Sequence, residues 1–177
     1  MRILGLDPGP SWTGFAVLSD ERVNRPIMRY HEAGKVASTI TEVAGLLRRL
    51  VAADIPISAV AIEQPDGIHT RDIKRARAIG KATQGTAHAA GLFAGMAAAL
   101  ILAVVEVRAG DVRRRLCGKR RGTAGDAAVK AAIGIYVVGW PKTLSPAGTI
   151  VHARDAAAVA LVSYDEARGL LSRNTGT

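Results

Sequence analysis

The sequence predicts an α/β fold in which a mixed β-sheet is flanked by helices. Three observations predict it. Strand-like segments open the chain in close succession, an amphipathic helix then leads into a strand that is apolar throughout, and the C-terminal third reads mostly as helices. A chain of 177 residues with 49% hydrophobic content is long enough for one well-buried domain and short for two. Residues 1–177 are therefore read as a single domain.

The elements follow in order. "RILGLD" and "GFAVL" read as two strands joined by the turn-rich "PGPSWT", and "IMRYHEAGKV" as a third. "TITEVAGLLRRLVAAD" is an amphipathic helix with Thr39 or Thr41 as its cap and Ile40, Val43, Leu46, Leu47 and Leu50 on one face. "ISAVAIEQ" is a fourth strand, apolar enough to be central. A polar, basic helix from about Asp72 follows, then a separate buried helix, a fifth strand at "VVEVR", and three further helical segments. No internal repeat, low-complexity tract or linker interrupts this order.

The charge narrows the partners. With 24 Lys and Arg against 15 Asp and Glu, the net charge is +9 and the pI about 10.4, which favours a polyanion. Nucleic acid is the first candidate and an anionic membrane surface the second. Aromatic residues make up only 4% of the chain, so phosphate contacts rather than rows of stacking rings should dominate binding. The single cysteine, Cys117, cannot form an internal disulfide; it reads as a small packing residue and suits a reducing, cytoplasmic location. No secretory signal is evident at "MRILGLD". The uncharged stretch from Ala89 to Val105 is Ala-rich and turns β-branched before its end, so it reads as a buried helix entering a strand rather than a membrane span. Gly91 and Gly95 in it could serve a close helix interface between subunits.

Four polar residues stand out against this background. Asp7 ends the first strand and Glu63 the fourth, and a right-handed crossover through the helix at residues 39 to 54 sets those strands parallel, adjacent and ending at one edge. Two carboxylates about 4 Å apart repel by roughly 4 kcal/mol at an effective dielectric of 20, a cost that a cation offsets. Oxygen ligands of this kind suit Mg²⁺ or Mn²⁺. In "TIVHARDAAAVAL", His152 and Asp155 lie one helical turn apart and can offer an imidazole and a carboxylate to one point. Taken alone, that pair reads first as the capped start of a helix.

The blocks "GLDPGPSWTGFAV", "VAIEQ" and "HARDAAAVAL", in this order and spacing, resemble the RuvC-type Holliday junction resolvases of the RNase H-like nuclease superfamily, phage-like variants included. The resemblance covers most of the chain. It implies an RNase H-like mixed five-stranded sheet flanked by helices, and a metal-binding and catalytic quartet at Asp7, Glu63, His152 and Asp155, where the family accepts Asp or His at the position of His152. It further implies two Mg²⁺ ions, with Mn²⁺ as a substitute, hydrolysis of phosphodiester bonds in four-way or related branched DNA, and a homodimer that cuts opposing strands. Asp7 would bridge the ions, Glu63 and Asp155 would complete them separately, and His152 would bind metal or orient the attacking water.

Two basic runs surround this acidic set: Arg71, Lys74, Arg75, Arg77 and Lys81 in "RDIKRARAIGK", and Arg113, Arg114, Arg115, Lys119, Arg120 and Arg121 in "RRRLCGKRRG". A charge run is ordinarily a solvated face. Beside a nuclease-like site in a basic protein, the second run in particular reads as a phosphate track. Arg113 resembles in position a family lysine that contacts DNA near the scissile bond. Two departures accompany the resemblance. Asp126 in "TAGDAAVK" stands where the family often has a lysine, with Lys130 one turn on as its substitute. Pro65, Asp66 and Gly67 stand where the family carries a junction-wedging aromatic ring, so the chain is expected to discriminate poorly among branched DNAs unless His69 or Trp12 takes that place. Two other functions compete: an actin-like or sugar-kinase-type phosphate-binding domain, to which a D-x-G turn also belongs, and a non-catalytic branched-DNA binding module. The first lacks its second phosphate motif here; the second has no use for the acidic quartet.

Overall fold

A computed structural model describes residues 1–20, 28–65, 73–118, 123–144 and 149–168. Strands β1 (Arg2–Pro8), β2 (Trp12–Asp20) and β3 (Met28–Ala37) form an antiparallel meander. Helix α1 (Ile40–Val51) crosses over to β4 (Ala59–Gln64), which lies parallel to β1. Helix α2 (Ile73–Ala99) leads to β5 (Ala103–Arg108), parallel to β4, and α3 (Ala109–Cys117), α4 (Thr123–Tyr136) and α5 (Thr149–Arg168) follow. A short strand, β6 (Val137–Val138), pairs in parallel with β3 and brings the sheet to six strands in the order β5-β4-β1-β2-β3-β6. The five strands expected from sequence are all present; the sixth, two residues long, carries too little pattern to read.

Period-two alternation divides the strands between two cores. Leu4, Leu6, Phe15, Val17, Val60 and Ile62 pack with Val43, Leu46, Leu47 and Leu50 of α1 and with Ala90, Phe93 and Ala97 of α2. Ile3, Ala16, Leu18, Ala59, Ala61 and Val107 face the other way, against the Ala-rich run of α5. Thr39 caps α1, its hydroxyl accepting from the Glu42 amide at 3.4 Å. Ile40 departs from the expected apolar stripe and is exposed, because at the first helical position it precedes the turn that meets the sheet.

The basic helix and the buried helix expected between β4 and β5 are one continuous α2, since no proline lies between Lys81 and Ala89 and a helix tolerates the single Gly85. Only one side of its C-terminal half is buried, at Ala89, Ala90, Phe93 and Ala97, while Gly91 and Gly95 point to solvent. Among the described residues no helix is long and apolar enough to cross a membrane. Helix α2 ends in a Schellman-type turn, in which the Leu102 amide donates to the Ala97 carbonyl at 3.0 Å and Ile101 takes a left-handed φ of 59°.

Candidate active site

Register fixes the first two acids. Parallel pairing of Leu6 with Ile62 carries Asp7 and Glu63 side by side to the C-terminal ends of β1 and β4. Alternation turns both toward α5, on the same face as Gly5 and Ala61. This is the crossover geometry that the sequence predicts.

The second pair arrives through close packing of α5 on glycine. Gly14 of β2 lies directly across the ladder from Asp7. A Cβ at Gly14 would stand 2.8 Å from the Cβ of His152 and closer still to its backbone carbonyl. A Cβ at Gly5 would stand 2.8 Å from that of Ala160 and would collide with the Ala156 carbonyl. Two bare strand positions thus let α5 settle on the sheet, with Ala153, Ala156, Ala157 and Ala160 fully buried beneath it. His152 Nδ1 consequently lies 3.6 Å from Asp7 Oδ2. Since α5 starts at Thr149, Asp155 falls in its second turn and does not cap the helix.

Two of the four groups, Glu63 and Asp155, sit in strained electrostatic surroundings. Burial, the hydrogen bond with Asp7 and the charges of Asp7 and Asp155 push the Glu63 carboxyl up to about 9, against a smaller opposing pull from Arg113. Asp155 is pushed up to about 6 by burial and by the charge of Asp7, with Asp126 adding to the rise and Arg154 and His152 opposing it. Among the described residues no three His, Cys, Asp or Glu side chains are already drawn around one point at metal-ligand spacing. The donor set nevertheless fits a hard divalent cation: three carboxylates and an imidazole share one edge, and the carboxylates raise one another's affinity for positive charge.

The basic residues divide by position. Arg113, on the exposed side of α3, acts on Glu63 through its charge. Arg114 pairs with Asp111 at 3.2 Å, Arg115 is exposed on the same helix, and Lys130 is exposed on α4. Lys74, Arg75 and Arg77 lie on α2, whose first turns are described as backbone only, and Lys81 is exposed. Arg71, Lys119, Arg120 and Arg121 lie outside the described residues, as do Asp66, Gly67 and His69; the Cys117 side chain is likewise outside the description.

Sequence reasoning missed three contributors. Arg154 is mostly buried, its Nε 3.7 Å from Asp155 Oδ1 and without a hydrogen-bond partner. Its signal was its place between His152 and Asp155. Gly5 and Gly14 set the height of α5 over the sheet, and their signal was a small residue opposite an Ala-rich helix.

Several solved structures share this architecture. Thermus thermophilus RuvC in complex with Holliday junction substrate is 19% identical, over 96% of this chain and 97% of that chain, with a TM-score of 0.68. The yeast mitochondrial Holliday junction resolvase Ydc2 is 12% identical over 98% of this chain and 81% of that chain, with a TM-score of 0.61. The fowlpox virus resolvase, solved with substrate Holliday junction DNA, is 12% identical over 95% of this chain and 99% of that chain, with a TM-score of 0.53. No protein-family model and no curated protein sequence matches the chain. At such identities the likeness is one of fold, and the fold is that of the RuvC-type Holliday junction resolvases.

Proposed function

We propose that the protein is a structure-selective endodeoxyribonuclease that resolves Holliday junctions or related branched DNA by metal-dependent hydrolysis of phosphodiester bonds. The observation that carries this reading is the convergence of Asp7, Glu63, His152 and Asp155 at one sheet edge. It occurs in a fold whose solved examples include complexes with Holliday junction DNA. Mutual repulsion among three partly buried acids destabilises the folded chain and has no use in a module that only binds DNA.

Each side chain has a task that its position allows. Asp7 stands between Glu63 on β4 and the His152–Asp155 pair on α5, so it is the group able to bridge two cations. Glu63 and Asp155 flank it and would each complete one of them. When bound, a pair of Mg²⁺ or Mn²⁺ ions supplies an activated water and offsets charge on the leaving 3′ oxygen. Glu63 must release its proton for that loading. His152, half exposed beside Asp7, would bind metal or orient the attacking water, and Arg113 would meet the phosphate from the α3 side. Arg114, Arg115 and Lys130 extend a phosphate track away from the acids.

Symmetric cutting of opposing strands needs two sites, hence a homodimer, and the exposed Gly91 and Gly95 of α2 offer a face that a second helix can approach closely. Incubating labelled four-way junction DNA with the protein and Mg²⁺ tests the proposal. Paired, opposing nicks support it. Retention without cutting favours a binding module, and nucleotide hydrolysis favours an actin-like phosphate-binding domain.

A further inference from the structure

We infer that Trp12 and Lys35 form a post at the rim of the acidic site on which an unpaired nucleobase of the DNA stacks. This rests on the branched-DNA reading above and adds a residue that selects for unpaired bases. Trp12 opens β2 and lies two residues before Gly14, on the α5 face that also holds Asp7 and His152. At about 3.3 Å per residue it stands about 7 Å along the strand from the Asp7–Gly14 pair, a step comparable to two nucleotide rises of roughly 3.4 Å.

The chemistry of the pair suits a nucleotide. Half of the Trp12 surface reaches solvent, whereas Trp140 packs edge-on against Tyr30 with ring centroids 5.5 Å apart. Lys35 pairs with Gly14 across the β2–β3 ladder, and its Nζ sits 4.9 Å from the centre of the Trp12 ring. A cation on a ring with further open surface offers a base a stacking platform and a phosphate a counter-charge together.

The backbone beneath the ring is tied down on several sides. The Ser38 hydroxyl donates to the Gly9 carbonyl at 2.8 Å and meets the Thr13 hydroxyl at 2.8 Å. The Ser38 amide donates to the Ser11 carbonyl at 3.0 Å, and Pro10 packs so close to Gly85 of α2 that a Cβ there would come within 2.7 Å of it. Thr13, next to the exposed indole, is fully buried. Such a turn presents the ring at a fixed place, so stacking costs little ordering entropy.

The test uses the full chain in EDTA with a four-way junction carrying 2-aminopurine at its branch point, beside a fully paired duplex. Wild type should bind the junction and brighten the 2-aminopurine as the neighbouring base leaves it to stack on the indole. Trp12→Ala should lose the brightening and bind the junction about ten-fold more weakly, the loss expected for one base–ring stack, with duplex affinity unchanged. Trp12→Phe should retain most of both, and Lys35→Gln should show a smaller loss in the same direction. Trp12→Ala and Lys35→Gln proteins that brighten the probe and bind the junction like wild type, while wild type still cuts junctions with Mg²⁺, would overturn the stacking post and leave the nuclease reading intact. A wild-type chain that binds neither DNA would overturn both.

Discussion

Gly14 and His152 occupy each other's space: the backbone of the helix residue fills the volume that a side chain on the strand would need. Because Gly14 is also the ladder partner of Asp7, one missing Cβ fixes the distance between the strand acid and the helix imidazole. Catalytic geometry and core packing are therefore the same contact.

Gly14→Ala should separate them. The added methyl meets backbone, which cannot rotate away, so α5 must lift; overpacking of this kind costs about 1–3 kcal/mol. Urea unfolding should show that loss of stability. Junction cleavage should fall further than the residual folded fraction explains, because His152 and Asp155 move with α5. Wild-type cleavage in a destabilised Gly14→Ala protein would show that the interlock does not position the site.

The raised carboxyls give the stability of the metal-free chain a definite pH dependence. Glu63 holds its proton in the folded chain up to about 9, against an ordinary value of 4.5, and Asp155 up to about 6, against 3.8. Between those limits the folded state binds protons that the unfolded chain has released, so stability falls as pH rises. Thermal melts in EDTA should show the decline between about pH 5 and 9, and Glu63→Gln should flatten its upper part. Mg²⁺ competes with the same protons, so its stabilising shift should grow from about pH 6 to about pH 8.5. A Mg²⁺ shift independent of pH would contradict this charge balance.

The acids at the strand ends were legible in the sequence; the depth of the helix above them was not. Asp7 and Glu63 were readable because each ends an apolar strand and the crossover rule makes those strands neighbours. From spacing alone His152 and Asp155 were readable only as a pair, and the family resemblance assigned them to the site: their distance from Asp7 depends on how deeply α5 sinks, and that depends on Gly5 and Gly14 meeting the helix backbone. Strand β6 was invisible because two residues show no alternation. The two helices expected before β5 proved to be one, since the change from basic to apolar composition at Ala89 alters what α2 touches without breaking its backbone. Exposure of Ile40 likewise depends on where α1 first meets the sheet.

Neutralising Arg113, Arg114 and Arg115 together should weaken binding to all branched DNAs alike. The slope of log K against log salt should flatten by up to about 0.9 for each phosphate that is no longer neutralised. Electrophoretic titrations at several salt concentrations measure it. An unchanged slope would mark α3 as a solvated basic face.

Ile101 offers a test far from the chemistry. A β-branched residue at φ 59° and 94% exposed gains little from burial and adopts a backbone conformation that glycine takes freely. Ile101→Gly should stabilise the chain by about 1 kcal/mol in urea unfolding, with cleavage unchanged. A loss of stability would mean that Ile101 makes contacts worth more than its backbone strain.

Whether the four convergent side chains cut branched DNA through bound metal is decided by comparing wild type with Asp7→Asn on one labelled four-way junction. Asparagine keeps the shape of the bridging carboxylate and removes its charge. With Mg²⁺ the wild type should release paired nicked products and lose that activity in EDTA, while Asp7→Asn should bind the junction as tightly and leave it uncut. Comparable cutting by both proteins at saturating Mg²⁺ would contradict metal-dependent cleavage at this site.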